Sequence, residues 1–237
     1  LHVRSRRQRQ MCIRDSASST GAFDLDGYRG AKDGLIRKMV SGGAILIAPL
    51  SAAPITELTT TGGLLKPQTG FTGMGRIARD GAPVFTPEDQ EETTETWGEL
   101  EPSRRDVTLS TLTVEATLQD TRKETLQLIA KQSAEYMNKL KANSNGEIAI
   151  EDNSQPTTMF VQLLFVGIDG TGEDAFYFGR YLPRAIIKGG PENWNPQNAV
   201  TYPLTATATK DTKLGFSSKR FYGGPGMKAR LKDMGFA

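Results

Sequence analysis

Arg105-Asp106-Val107-Thr108-Leu109-Ser110-Thr111-Leu112-Thr113-Val114-Glu115-Ala116-Thr117-Leu118 is the stretch on which the fold turns. Val107 and Leu109 set one apolar face, then Leu112, Val114, Ala116 and Leu118 continue on the opposite parity. Strand side chains alternate with a period of two, so the change of phase at Ser110-Thr111 predicts a bulge or sharp bend in one long strand. A helix is announced next. Thr121-x-x-Glu124 has the form of a capping box, and Leu126, Ala130, Ser133, Met137 and Leu140 recur at alternating four- and three-residue steps. Ile129 widens that stripe, while Lys123, Lys131, Lys139 and Lys141 stay off it. Asn143-Ser144-Asn145-Gly146 supplies residues that tolerate the left-handed conformation, so one helix is expected over about 121–142.

Working outward, strands dominate. Gly43 to Ala48 reads as a short buried strand ended by Pro49, which cannot donate to a ladder. Met159 to Val166 is almost continuously apolar, as for a strand buried on both faces. Asp169-Gly170-Thr171-Gly172-Glu173-Asp174 makes a turn into Phe176–Tyr181, giving a hairpin. Ala185 to Lys188 follows and is broken by Gly189-Gly190-Pro191. Thr201 to Thr209 alternates Leu204, Ala206 and Ala208 against Thr205, Thr207 and Thr209. The stretch Ser51–Pro87 is punctuated by proline and glycine, and a loop that long is either functional or ordered only by a partner. The tail, Asp211 to Ala237, reads as too polar and too broken to fold alone. A Thr- and Gly-rich composition with 37% hydrophobic residues and 12 prolines fits strands and turns better than a helical bundle.

The first forty residues stand apart. Residues 1–16, LHVRSRRQRQMCIRDS, resemble the translated sequencing-adapter read-through that recurs at the ends of metagenomic gene models, and they are kept out of the fold argument. A native basic arm is the alternative reading. Residues 17–40 read either as an N-terminal arm or as more out-of-frame sequence, with Met39 as an alternative start. The only histidine and cysteine, His2 and Cys12, fall in the adapter-like segment. Ala17 to Ala237 therefore offers no imidazole or thiol, which removes the commonest general base, the best zinc ligand, the best soft nucleophile and any disulfide framework. Charge shifts as well. Of 29 Lys+Arg and 27 Asp+Glu, setting aside Arg4, Arg6, Arg7, Arg9, Arg14 and Asp15 leaves 24 and 26, so +2 becomes −2. That balance poorly suits a nucleic-acid binder, which needs a clustered cationic surface. The longest apolar run, Ala44–Ala48, falls far short of the ~20 residues that span a bilayer. A soluble protein without a membrane partner is expected.

Candidate sites are weak. Glu88, Asp89, Glu91, Glu92, Glu95, Glu99 and Glu101 place seven acids within fourteen residues with no basic residue among them. A paired-carboxylate hydrolase needs two acids in opposed environments, whereas such a run usually marks a solvated face or an electrostatic lining. Trp97 and Trp194 could stack on sugar rings, but a tryptophan is more often a core or interface anchor. Gly70-Phe71-Thr72-Gly73-Met74-Gly75-Arg76 and Gly223-Gly224-Pro225-Gly226-Met227-Lys228 lack the Gly-Lys-Ser/Thr ending of a phosphate loop, so flexible loops are expected. Asp169–Asp174 lacks the third-position ligand of a calcium loop, and Arg180 stands where its bidentate Glu belongs. No catalytic, cofactor or metal site is expected, and so no enzyme.

One resemblance is informative. Trp97-Gly98-Glu99-Leu100-Glu101-Pro102-Ser103-Arg104-Arg105-Asp106-Val107-Thr108, the long strand, and Thr121-Arg122-Lys123-Glu124-Thr125-Leu126 together resemble the major tail tube proteins of long-tailed (siphovirus-type) phages, especially those of actinobacterial hosts. Asn198-Ala199-Val200-Thr201-Tyr202-Pro203-Leu204-Thr205, then Asp211, Gly215 and Phe221-Tyr222-Gly223-Gly224, is similar to the family's closing strand and tail. The order of elements agrees from about Ser41 onward. The resemblance implies a mainly β fold, a sandwich or half-barrel with one flanking helix, long loops and an extended C-terminal tail. It implies a tail tube domain over 41–210 with an arm over 211–237. It also implies a structural virion protein, assembled in the host bacterial cytoplasm into stacked, usually hexameric rings through which the genome leaves. Its partners would be itself, tape-measure, tail-tip and terminator proteins, and passing genomic DNA without specific binding. Glu91, Glu92 and Glu95 are expected at the lumen or the ring-to-ring seam, and Trp97, Trp194, Phe221 and Tyr222 as packing or interface anchors. Gly62–Gly75 and Lys213–Ala237 are expected to touch the next ring. Rival readings are a carbohydrate-binding β-sandwich module, a carboxylate-dependent hydrolase, and a tail-terminator or head-completion ring protein of the same fold.

Overall fold

The computed structural model describes residues 29–236 except 31, 33, 156, 157, 193 and 195. The adapter-like segment and most of the expected arm lie outside the described residues. The chain divides into a unit ending at Arg37 and a unit from Lys38 to Ala237. In the first, the Arg37 guanidinium donates to the Gly34 carbonyl.

The second unit is one antiparallel sheet of eight strands: β1 (Gly43–Pro49), β2 (Thr72–Gly73), β3 (Val84–Thr94), β4 (Arg104–Leu118), β5 (Phe160–Asp169), β6 (Phe176–Gly189), β7 (Tyr202–Ala208) and β8 (Lys219–Gly223). Their order is β2-β1-β5-β6-β7-β4-β3, with β8 pairing β6 off that path. The 14-residue β6 divides one edge between two neighbours: Tyr177–Tyr181 pairs with β8 and Ala185–Gly189 with β7. The sheet also curls. Phe85, on terminal strand β3, meets Phe165 of β5 edge-to-face at 5.2 Å, although three strands separate them in the ladder. This is the half-barrel or sandwich expected of a mainly β chain.

Alternation supplies a core to each face. Leu112, Val114, Ala116 and Leu118 of β4 join Leu163 and Phe165 of β5, Leu182 and Ile187 of β6, and Leu204 and Ala206 of β7 inside the curl. On the other face, Leu164 and Tyr181 are covered by Ile55 and Leu58, with Phe71, Phe216 and Phe221 packed around them. The long loop is therefore not idle. Its apolar residues close the second core, and Gln162 fixes its start by donating from Nε2 to the Pro49 and Ala52 carbonyls at 3.1 and 2.7 Å.

Three readings shift on contact with the structure. The expected bulge lies two residues earlier, where Gln90 faces Leu109 and Glu91 faces Val107, leaving Thr108 unpaired. Its hydroxyl donates to the Gln90 carbonyl at 3.2 Å, which satisfies part of the broken ladder. The helix over 121–142 is two short helices, α1 (Lys123–Ile129) and α2 (Ala134–Lys139). Lys131, at φ 53, breaks the run, and Ser133 caps α2 by accepting from the Tyr136 N–H. A serine inside a helical stripe competes as a cap, and here it wins because the Asn153 N–H also captures the Ala130 carbonyl at 3.0 Å. The capping box does not close. Thr121 shares a 2.7 Å hydrogen bond with the Tyr202 hydroxyl instead. Third, the tail folds: β8 lies on β6, and Pro225–Arg230 forms a third helix, α3. Among the described residues no helix is long and apolar enough to cross a membrane.

Candidate functional site

The acidic run lies mostly on strand β3. From Thr86 to Thr94 every residue of β3 is exposed, and so is every residue of β4 from Arg104 to Ser110. The two form a ribbon that leaves the core behind. Its tip spans 95–103, closed by the Ser103 N–H donating to Thr94 at 3.0 Å and by the Ser103 hydroxyl donating to Glu99 at 2.9 Å. Register distributes the acids. Glu91 lies opposite Val107, while Glu92 lies opposite Asp106, so the two carboxylates point to opposite faces of the ribbon. Glu95 lies in the tip. These three residues share one projection but not one surface.

The aromatic residues separate into two kinds. Trp97 is fully exposed at the tip with Leu100 beside it, and Trp194 is 79% exposed; neither belongs to a core. Phe221 packs on the second core, with the Lys219 ammonium 4.9 Å from its ring centroid. Tyr222, on the opposite parity of β8, meets Phe178 edge-to-face at 5.6 Å and stays half exposed.

A cleft of about 760 Å³ opens at the end of the curl, between the 76–85 segment and strands β5, β6 and β8. Phe85, Phe165, Phe178 and Tyr222 make its walls apolar, and four arginines, Arg76, Arg79, Arg180 and Arg220, line it with no acid among the lining residues. Arg76 pairs with Asp120 at 3.6 Å. Arg180 and Arg220 lie directly opposite each other across the β6–β8 ladder. Like charges so placed repel. Burial, then the field of Arg220, holds Arg180 below its ordinary pKa. Its guanidinium stacks 4.7 Å from the Phe85 centroid, and its buried Nε has no hydrogen-bond partner. The sequence reading missed this site. Arg180 entered only as the residue that spoils a calcium loop, and no local pattern reveals that β8 returns to pair with β6.

The remaining motifs are structural. Asp169–Asp174 is the β5–β6 turn, with Gly170 at φ 76. Gly224, at φ 109, and Gly226 press against the carbonyls of Ala175 and Asp174, where a Cβ would come within 2.3 and 2.5 Å. The 223–226 stretch is therefore a packed joint, not a phosphate cradle. The Arg76 N–H already donates to the Asp120 carboxylate at 3.0 Å. Among the described residues no three His, Cys, Asp or Glu side chains gather as a metal site.

No curated protein matches the chain. A family model described as phage tail tube protein matches residues 30–216, from before β1 to just short of β8 and well over half of the 237-residue chain. The match covers the sheet strands up to β7, and the chain belongs to the phage tail tube protein family, a structural component of the virion tail.

Proposed function

We propose that this subunit closes into rings, six to a ring, that stack into the tube through which phage DNA is ejected. The observation that carries the reading is the projecting ribbon. A two-stranded hairpin with no packed face is marginal in water. Here β3 from Thr86 onward and β4 as far as Ser110 stay exposed, with Val107 62% and Leu109 46% accessible. Neighbouring copies would cover those side chains and pair the free β3 edge, as closed barrels do. Of Glu91, Glu92 and Glu95, those on the ribbon face turned inward then line the bore, and those on the other face meet the seam between rings. An acidic bore repels phosphate and lets DNA slide. The subunit does no chemistry. It assembles in the bacterial cytoplasm with itself and with tape-measure, tail-tip and terminator proteins.

Negative-stain microscopy of the concentrated protein tests this. Stacked tubes are expected. Single rings that never stack would make it a terminator relative, and persistent monomers whose tryptophan fluorescence is quenched by oligosaccharides would favour a carbohydrate-binding module. Reversing Glu91, Glu92 and Glu95 to lysine one at a time assigns each: slowed DNA passage through intact tubes places that residue in the bore, and lost stacking places it at the seam.

A further inference from the structure

We infer that the arginine-rimmed cleft is the receptor for the ribbon tip of a second copy, with Trp97 and Leu100 seated among Phe85, Phe178 and Tyr222 and with Glu99 and Glu101 set against Arg79, Arg180 and Arg220. This rests on the reading of the chain as a self-assembling tail subunit and names the contact that joins one copy to the next.

Each half of the contact is incomplete alone. The cleft has apolar walls, two arginines forced side by side across a ladder, a buried guanidinium nitrogen without a partner, and no carboxylate in its lining. Its complement is an amphipathic group that carries acids. The tip Trp97-Gly98-Glu99-Leu100-Glu101 has that composition, with Trp97 and Leu100 both fully exposed. Large apolar side chains presented in this way, flanked by charge, are the usual form of an interface hot spot. The cleft's volume lies in the range of about 300–1,000 Å³ that holds compact ligands, so both side chains fit.

The occupant must come from another molecule. Phe85 forms a wall of the cleft, and Thr94 ends the same strand nine residues on. At about 3.3 Å per residue the tip stands roughly 30 Å from the cleft of its own chain. A tip on one surface entering a cleft on a different surface is a heterologous contact, and such contacts generate closed rings or open stacks.

Photocross-linking tests the geometry. With p-benzoylphenylalanine in place of Trp97, irradiation of the concentrated full chain should give dimers and higher species. Peptide mapping should place the links on residues 76–85, 178–180 or 220–222. Charge exchange tests the pairing. Glu99→Lys with Glu101→Lys should raise the critical assembly concentration at least about tenfold, and adding Arg79→Glu with Arg220→Glu should recover most of it. Links mapping elsewhere, no linked species, or no recovery in the combined variant would overturn the contact. Wild-type tubes with links elsewhere would leave the tube reading standing, whereas a wild-type protein that forms no assemblies would remove both.

Discussion

Gln162 and Tyr181 tie the long loop to the sheet, and cutting that tie tests whether the loop belongs to the folded subunit or waits for a neighbour. Tyr181 is fully buried and donates its hydroxyl to Gln162 Oε1; Gln162 is 3% exposed and holds the Pro49 and Ala52 carbonyls through Nε2. Tyr181→Phe leaves the Gln162 Oε1 acceptor and the Ile55 backbone group without the phenol, a loss of about 1–3 kcal/mol. Gln162→Leu removes all of the Gln162 bonds. The two carbonyls lie near the surface and recover water, but the Tyr181 hydroxyl does not, so about 2–4 kcal/mol is expected. Urea unfolding of the free subunit, read from the midpoint at unchanged slope, measures both. A Gln162→Leu midpoint within about 0.5 kcal/mol of wild type would refute the argument, because the network would then not exist in the monomer. The pH dependence gives an independent reading. Burial pushes the Tyr181 phenol up; Asp211 adds to the shift and a backbone hydrogen bond with Ile55 opposes it. Below the ordinary phenol pKa of about 10 both states keep the proton and stability does not depend on this group. Above it the unfolded chain releases the proton first, so stability declines from there up to the folded-state value. Tyr181→Phe should remove that part of the alkaline decline, seen as a difference curve against wild type.

Gly226→Ala should destabilise the subunit by about 2 kcal/mol or more, since its Cβ would sit 2.5 Å from the backbone carbonyl of Asp174; thermal melts check this, with Gly73→Ala, whose site is open and whose φ is not positive, as the mild comparison. Ending the chain after Thr209 removes β8 and exposes the second core where Phe221 packs, so light scattering should report aggregation and not clean monomers. Hydrogen exchange should find ribbon amides protected less than about tenfold in the free subunit and more than about a thousandfold in assembled tubes; equal protection in both would show that nothing covers the ribbon.

Legibility in the sequence followed the burial of each element. β4, β5, β6 and β7 were readable because one or both faces enter a core, and burial enforces alternation or a continuous apolar run. β3 was not, because Thr86 to Thr94 faces water on both sides and carries acids where a period would show. The repeated β-branched Thr86, Thr93 and Thr94 was the only local hint. The helix was over-read for the converse reason: its stripe is real, since Ala130 and Met137 are buried, but a stripe does not reveal that Ser133 will cap a new helix. The cationic cleft was beyond reach. Arg180 and Arg220 are forty residues apart and meet only through the β6–β8 register.

The acidic run is also explained by sheet chemistry, whichever surface it reaches in the tube. β3 ends the sheet order and presents eleven residues with an unpaired outer edge. Such an edge invites a second copy to add edge to edge, an isologous pairing that ends at a dimer or spreads as aggregate. Glu88, Asp89, Glu91 and Glu92 lie along that edge, and Pro87 withholds a donor from it. Two such edges brought together would oppose carboxylate to carboxylate at about 5 Å, which is unfavourable in either strand direction. The same charges favour approach to a surface that carries arginines. One run of residues therefore discourages symmetric pairing and permits head-to-tail contact, and only head-to-tail contact lets a subunit propagate. Neutralising Glu88, Asp89, Glu91 and Glu92 to their amides should not simply strengthen tubes. It should divert the protein toward edge-paired dimers and irregular aggregates, visible by analytical ultracentrifugation as species that never stack. Unaltered tubes without such dimers would show that edge protection comes from elsewhere.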